Sequence, residues 1–312
     1  MADFERNLII VRTPKLQERS DFEAIAEMIA DRAPDIEVFI VENGTRQSLT
    51  RKRAASRPTL VFSPIRLREF SPLRGKVHTG RYHPKTEEIA RLVAAGINVP
   101  EAVPVAPETR LDPATWGPFT VVKPLSGMAG YGIRLVRTRD VRWVDPQSWP
   151  DDDPRHGQEM YAQRFVDTGV TANCYRVMVV YGRPVYCSRS TLLTPRPALD
   201  PDGDEPVDLP IAANADGWRR IEQAYDSEVI AAAAGAQRAF PDIPVLGVDL
   251  VRDVRSGAIY LLEVNPSGFT WHISSDYSKK VRREHGLDYM GQFGALDIIA
   301  DALIDATRRE AE

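Results

Sequence analysis

Three oxygen-bearing side chains late in the chain have the types and spacing of a site for a hard cation. They sit in two aliphatic runs, Gly247-Val248-Asp249-Leu250-Val251 and Leu261-Leu262-Glu263-Val264-Asn265-Pro266. Both runs read as strands, with acids placed where an aliphatic strand has no use for charge. Between them, Arg255-Ser256-Gly257 reads as a three-residue hairpin loop with Gly at the left-handed position. A hairpin centred on Ser256 sets Asp249 opposite Glu263, and Asn265, two residues on, shares a face with Glu263. Facing carboxylates repel and weaken a strand pair unless something cationic lies between them. Two carboxylates and an amide oxygen suit Mg²⁺, which takes a few carboxylates together with substrate phosphates. The alternative is a hairpin whose acids are solvated on its outer face.

A second group precedes the first: Lys123-Pro124-Leu125-Ser126-Gly127-Met128-Ala129-Gly130-Tyr131-Gly132. Glycines let backbone approach a ligand, and exposed amides can cradle phosphate oxygens. Lys123 at a strand end adds a point charge for them. This is no Walker A loop, because the Lys precedes the glycines and a strand follows. A flexible hairpin loop is the alternative. The five histidines are scattered without zinc spacing. Cys174 and Cys187, both on expected strands, read as reduced, buried thiols of a cytoplasmic protein.

These groups need elements to hold them. Strands are expected at 8–13, 37–41 and 59–62, with a helix after the capping-box spacing Ser20-Asp21-Phe22-Glu23 carrying Phe22, Ile25 and Ile29. That run reads as a small parallel α/β domain over residues 1–75. A helix at 84–93 follows, with Pro84 at its start and Gly96 past its end. Strands are expected at 119–123, 133–136 and 161–166, and a hairpin over 174–190 turning at Gly182-Arg183-Pro184. Residues 195–209 are rich in proline and acids and read as a long loop. A helix over 228–240 feeds the acid hairpin, and a last helix carries Leu296, Ile299 and Leu303. Helix and antiparallel hairpin alternate in the last two thirds, so that part reads as α+β.

Size and charge narrow the partners. The chain has 312 residues, 43% hydrophobic and 27% charged, with a net charge of -4. That suits a globular protein of two or three modest domains and disfavours a broad nucleic-acid footprint. No apolar run approaches the roughly 20 residues of a membrane helix, and the N-terminal apolar stretch is too short for a signal peptide.

In order, Lys-Pro-Leu-x-Gly-x-x-Gly-x-Gly-Ile, then Gly-Val-Asp, then Leu-Glu-Val-Asn, the chain resembles the ATP-grasp superfamily. The RimK-like ligases are the nearest branch, with glutathione synthetase and D-alanine–D-alanine ligase more distant. The similarity covers about residues 75–300. It implies an ATP-grasp fold of two α+β subdomains, 76–166 and 167–312, gripping ATP behind a trimmed pre-grasp domain. It also implies roles. Lys85 and Lys123 would hold the α- and β-phosphates, and Gly127, Gly130 and Gly132 would form the loop over the triphosphate. Gln163 and Val166 would form the hinge that reads adenine through its backbone, with Asp167 as the candidate ribose holder. Asp249, Glu263 and Asn265 would bind two Mg²⁺ ions, which Mn²⁺ can replace. Arg176 and Arg189 would hold the γ-phosphate or an acyl phosphate, with Asn214 near the phosphates.

The activity implied is ADP-forming ligation of a small-molecule or peptide carboxylate to an amine, without nucleic acid or membrane. Many relatives are dimers, which leaves a homodimer as the assembly to test. A kinase acting on a small-molecule hydroxyl and a nucleotide-binding module without turnover are the alternatives. Two departures stand out. Arg164 replaces a Glu frequent at the hinge, and Pro266-Ser267-Gly268 stands where the RimK-like pattern has Ser-Pro-Gly. The latter segment normally lines the acceptor site. Trp271-His272 beyond it reads either as substrate contact or as packing.

Overall fold

The computed structural model describes residues 4–14, 16–44, 52, 55–67, 72–126, 130–211, 219–266 and 270–312. Its first layer is a parallel sheet of β1 (Arg6–Arg12), β2 (Ile36–Glu42), β3 (Thr59–Phe62) and β4 (Lys76–His78), ordered β2-β1-β3-β4. Leu8, Ile9, Ile10 and Val11 are all buried, as expected of a strand covered on both faces. The sheet takes in one short strand beyond residue 75. Helix α1 (Arg19–Arg32) buries Phe22, Ile25 and Ile29 against it.

The expected capping box does not form. The helix begins at Arg19, and its N-cap residue, Glu18, makes no side-chain cap. Asp21 is turned inward instead, accepting hydrogen bonds from Trp271 Nε1 (3.3 Å) and Ser274 Oγ (2.6 Å). With the helix starting at Arg19, Ser20, the expected cap, lies inside it, and Glu23, its expected partner, pairs with Arg19 at 2.7 Å.

Next in the chain come α2 (Lys85–Ala94), β5 (Ala102–Pro104), β6 (Phe119–Pro124), β7 (Arg134–Arg137) and β8 (Met160–Arg164). They are followed by β9 (Asn173–Val180), β10 (Arg183–Leu192), β11 (Asp208–Pro210) and β12 (Arg219–Gln223). The last elements are α3 (Ser227–Gly235), β13 (Val245–Arg252), β14 (Ile259–Asn265), α4 (Asp276–His285) and α5 (Ala295–Glu310). Two antiparallel sheets result, ordered β11-β7-β6-β8-β5 and β12-β10-β9-β13-β14. The architecture is α+β behind an α/β start, as the alternation of helix and hairpin implied.

Three local expectations shift. The β9–β10 turn is Tyr181-Gly182, both at positive φ (46° and 81°), so Arg183 and Pro184 belong to β10. Two left-handed residues give the tight hairpin turn that matches strand twist. The expected loop at 195–209 ends in β11, which pairs with β7. The helix expected over 228–240 ends at Gly235 and tightens into a 3₁₀ turn over Ala236–Ala239.

The C-terminal helix ties the ends of the chain together. Helix α5 packs on α1 and on β10. Ion pairs Arg32–Asp301 (2.9 Å), Arg308–Asp35 (2.6 Å) and Lys76–Glu310 (2.7 Å) flank it. One continuous core therefore runs from the parallel sheet through α5 to the C-terminal sheet. The segment returning from β14 lies so close to this sheet that a Cβ on Gly247 would meet Thr270 Cγ2 at 2.1 Å. Only glycine fits there.

Candidate active site

The acid hairpin forms in the expected register, Asp249 opposite Glu263, with Gly257 at φ 71° in its turn. Strand β9 lies on the other side of β13 and places Arg176 opposite Asp249. The three side chains therefore share one face of the C-terminal sheet. Arg176 grips Asp249 with a two-pronged fork: Nε donates to Oδ1, and Nη2 to Oδ2 at 2.7 Å. Asn265 Nδ2 donates to Asp249 Oδ2 at 3.3 Å.

Cations come to this face from two further elements. Lys85 opens α2, and its Nζ lies 3.1 Å from Glu263 Oε2 and 3.2 Å from Glu88 Oε2. Lys123 projects from β6 of the other sheet and donates to Gln163 Oε1 at 2.6 Å. Tyr161, opposite Lys123 in the ladder, is buried on the same face.

The electrostatics follow from burial and neighbours. Burial opposes the charge of Lys85, but Glu263 and Glu88 outweigh it and hold the ammonium above the usual lysine range. Burial pulls Lys123 below that range. Burial would raise Glu263, yet Lys85 and Lys123 hold its carboxylate below the usual range. Asp249 is pushed up by burial and by Glu263, against the pull of Arg176. Burial pushes Glu88 up to about 7 despite Lys85.

The donor set fits a hard divalent cation. Two carboxylates, Asp249 buried and Glu263 half-buried, face each other and interact directly, and each is held by a protein cation, Arg176 or Lys85. Such a pair attracts positive charge, and oxygen donors are what Mg²⁺ takes. Among the described residues no group of three or more His, Cys, Asp or Glu could hold a metal. A divalent ion here would draw on Asp249, Glu263, the Asn265 oxygen and ligand phosphates.

The structure separates several other expected site residues from this face. Arg189 is one: its register partners are Tyr175 and Glu222, so it points to the opposite side of the sheet from Arg176. There it pairs with Glu222, leaving 43% of its side chain exposed. Strand parity explains the correction, because an odd offset reverses the face. The residue across from Arg176 on β10 is Ser188. Gln163 lies inside β8, flanked by β5 and β6, and it meets Lys123 through its side chain. Val166 is half-buried just past β8. Asp167 is engaged elsewhere, accepting from Arg196 Nη2 at 2.7 Å and from the Gly169 amide at 2.9 Å.

Gly130 and Gly132 have φ of 79° and 74°, as a tight glycine turn requires. Gly127 and Asn214 lie outside the described residues. Trp271 is packing: it is 3% exposed and stacks on Phe22 with ring centroids 5.1 Å apart. His272 sits beside Ser275 Oγ (3.2 Å), and burial with Arg176 nearby pulls its imidazole down to about 4, so it is neutral at pH 7. Together with Gln17 and Tyr277 it lines a cavity of about 540 Å³ beyond the C-terminal ends of β1 and β3.

Glu88 and Tyr161 were missed. Glu88 stands three residues after Lys85, a spacing that sets both on one helix face. Tyr161 begins the run already read as a strand, and only the β6–β8 pairing brings it beside Lys123.

No protein-family model and no curated protein matches the chain. Solved structures do. The D-cycloserine synthetase DcsG is 18% identical, the match covering 96% of this chain and 99% of that one with a TM-score of 0.47. A D-alanine–D-alanine ligase from Bacillus anthracis, complexed with ATP, is 13% identical over 98% of this chain and 99% of that one, with a TM-score of 0.43. A RimK domain ATP-grasp protein from Sphaerobacter thermophilus is 14% identical over 95% of this chain and 98% of that one, with a TM-score of 0.42. The Sphaerobacter protein is named for the ATP-grasp superfamily that the motifs resemble.

Proposed function

We propose that the chain is an ATP-grasp carboxylate–amine ligase of the RimK-like kind. It would use ATP to activate a carboxylate as an acyl phosphate, which an amine displaces to give an amide, ADP and phosphate. One observation carries the reading: the facing Asp249–Glu263 pair, its first member buried and its second half-buried, meets cations from three separate elements, Lys85, Lys123 and Arg176. A surface hairpin has no need of that convergence. Phosphoryl transfer does, because its catalysis is mostly positioning and charge neutralisation.

Mg²⁺, when bound, would neutralise charge developing on the transferred phosphoryl group. The chain's own residues supply the rest. Asp249, Glu263 and Asn265 would hold the cation by their oxygens. Lys85 and Lys123, one from each side, bind phosphate oxygens as point charges. Arg176, which holds Asp249, would offer its planar fork to an oxyanion on this face. Arg189 has no part in this, being on the other face. No side-chain nucleophile is needed. Burial keeps the thiols of Cys174 and Cys187 protonated, which suits bystanders.

Calorimetry with ATP, with and without Mg²⁺, tests the binding half. Magnesium-dependent uptake is expected, and its absence sinks the reading. An acid–amine screen followed by phosphorus NMR tests the chemistry. Free phosphate and ADP with an amide product support a ligase. Phosphate retained on an alcohol product makes the enzyme a kinase. Binding without turnover across the screen makes it a nucleotide-binding module.

A further inference from the structure

A cavity of about 460 Å³ lies behind the sheet that carries Lys123. Strand alternation divides that sheet. Lys123, Tyr161 and Gln163 occupy the front, toward the acid hairpin, whereas Val122, Val136 and Met160 occupy the back and line the cavity. The lining is mainly apolar, and its size falls in the range of small-molecule sites.

Two features mark it as more than a packing fault. The indole Nε1 of Trp149, in the cavity wall, is buried without a hydrogen-bond partner. A buried donor left unpaired is costly, and an acceptor on an occupant would relieve it. Arg155 lies flat on the same indole, 3.6 Å from its centroid, and its fork is already taken by Asp153 (2.8 and 2.6 Å). Its stem touches the position where Gly132 would carry a Cβ, 3.3 Å away, so the wall is braced against the glycine segment.

Charge decides the occupant. Arg134, Arg142 and Arg155 line the cavity alongside Asp140, Glu159 and Asp208, so the signs balance. Arg134 is paired with Asp208 at 2.6 Å. Neither an anion nor a cation finds a net counter-charge.

We propose that this cavity is a second binding site, separate from the phosphate site, for a small uncharged molecule that is largely apolar and accepts one hydrogen bond from Trp149. The test uses Nile red, an uncharged planar dye with a carbonyl acceptor that brightens in apolar surroundings. The full chain should bind it saturably at one site, and saturating ATP with Mg²⁺ should leave it bound. Trp149→Phe, which keeps the ring and removes the N–H, should weaken binding about fivefold, as one neutral hydrogen bond implies. Val136→Phe, which fills the cavity from its back wall, should abolish it. Unsaturable binding, displacement of the dye by ATP, or wild-type affinity in Trp149→Phe each overturns the proposal. So does wild-type affinity in Val136→Phe with an unchanged melting curve.

Discussion

The two faces of the C-terminal sheet each carry an arginine fork on a carboxylate, and the two forks differ in kind. On one face Arg176 grips Asp249, whose side chain is 12% exposed, and a second acid, Glu263, stands opposite. On the other face Arg189 grips Glu222, 27% exposed, with Arg220 adding a second cation at 3.1 Å. The first face sets two facing acids among three cations, Arg176, Lys85 and Lys123. The second has one acid held by two arginines from adjacent strands, one of them 70% exposed. An ion pair therefore says little by itself; the convergence of charges from separate elements is what sets the first face apart.

Substitutions on the two faces should separate them. The largest effect is expected from Glu263→Gln, which removes one of two facing carboxylates. ADP formation should disappear while the melting curve stays native-like, and normal turnover with a native melt would break the distinction between the faces. Next is Arg176→Ala, which leaves Asp249 buried without its fork. Urea unfolding should show a loss of about 3 kcal/mol, on the low side for a buried pair because Arg176 is partly exposed.

A smaller effect sharpens the role of the missed acid. Folded Glu88 keeps its proton up to about 7, whereas the unfolded chain releases it near 4.5. Between those values the unfolded state binds fewer protons, so this group makes stability fall as pH rises through the window. Glu88→Gln should flatten the fall by about 1–3 kcal/mol, read as the difference from wild type between the two ends of the window. The smallest effect belongs to Arg189→Ala, about 0–1 kcal/mol with ADP formation unchanged, as for an exposed pair. A large loss of turnover there would return Arg189 to the site.

Much of the framework is legible in the residue order. The run Thr59–Phe62 folds as the strand its aliphatics indicate, and the acid hairpin pairs Asp249 with Glu263 as a Ser256-centred turn requires. Helix α2 starts after Pro84 and ends before Gly96, as those two residues dictate. The short strands β4, β5 and β11, three residues each, escaped because their pattern is too brief to stand out from loop. The Ser20 capping box failed because the helix starts one residue earlier, at Arg19, which puts Ser20 inside it.

By itself the sequence determined the elements that turn on local chemistry: period-two aliphatic runs, a proline-started helix, a glycine turn, and two acids a hairpin apart. These depend on neighbours within a few positions, where backbone sterics and side-chain alternation act directly. Which face each arginine occupies, that Lys85 reaches Glu263, and that Gln163 serves Lys123 were decided only by the assembled sheets. Those facts depend on strand parity and on contacts between residues distant in the chain, and short-range preference carries no information about either.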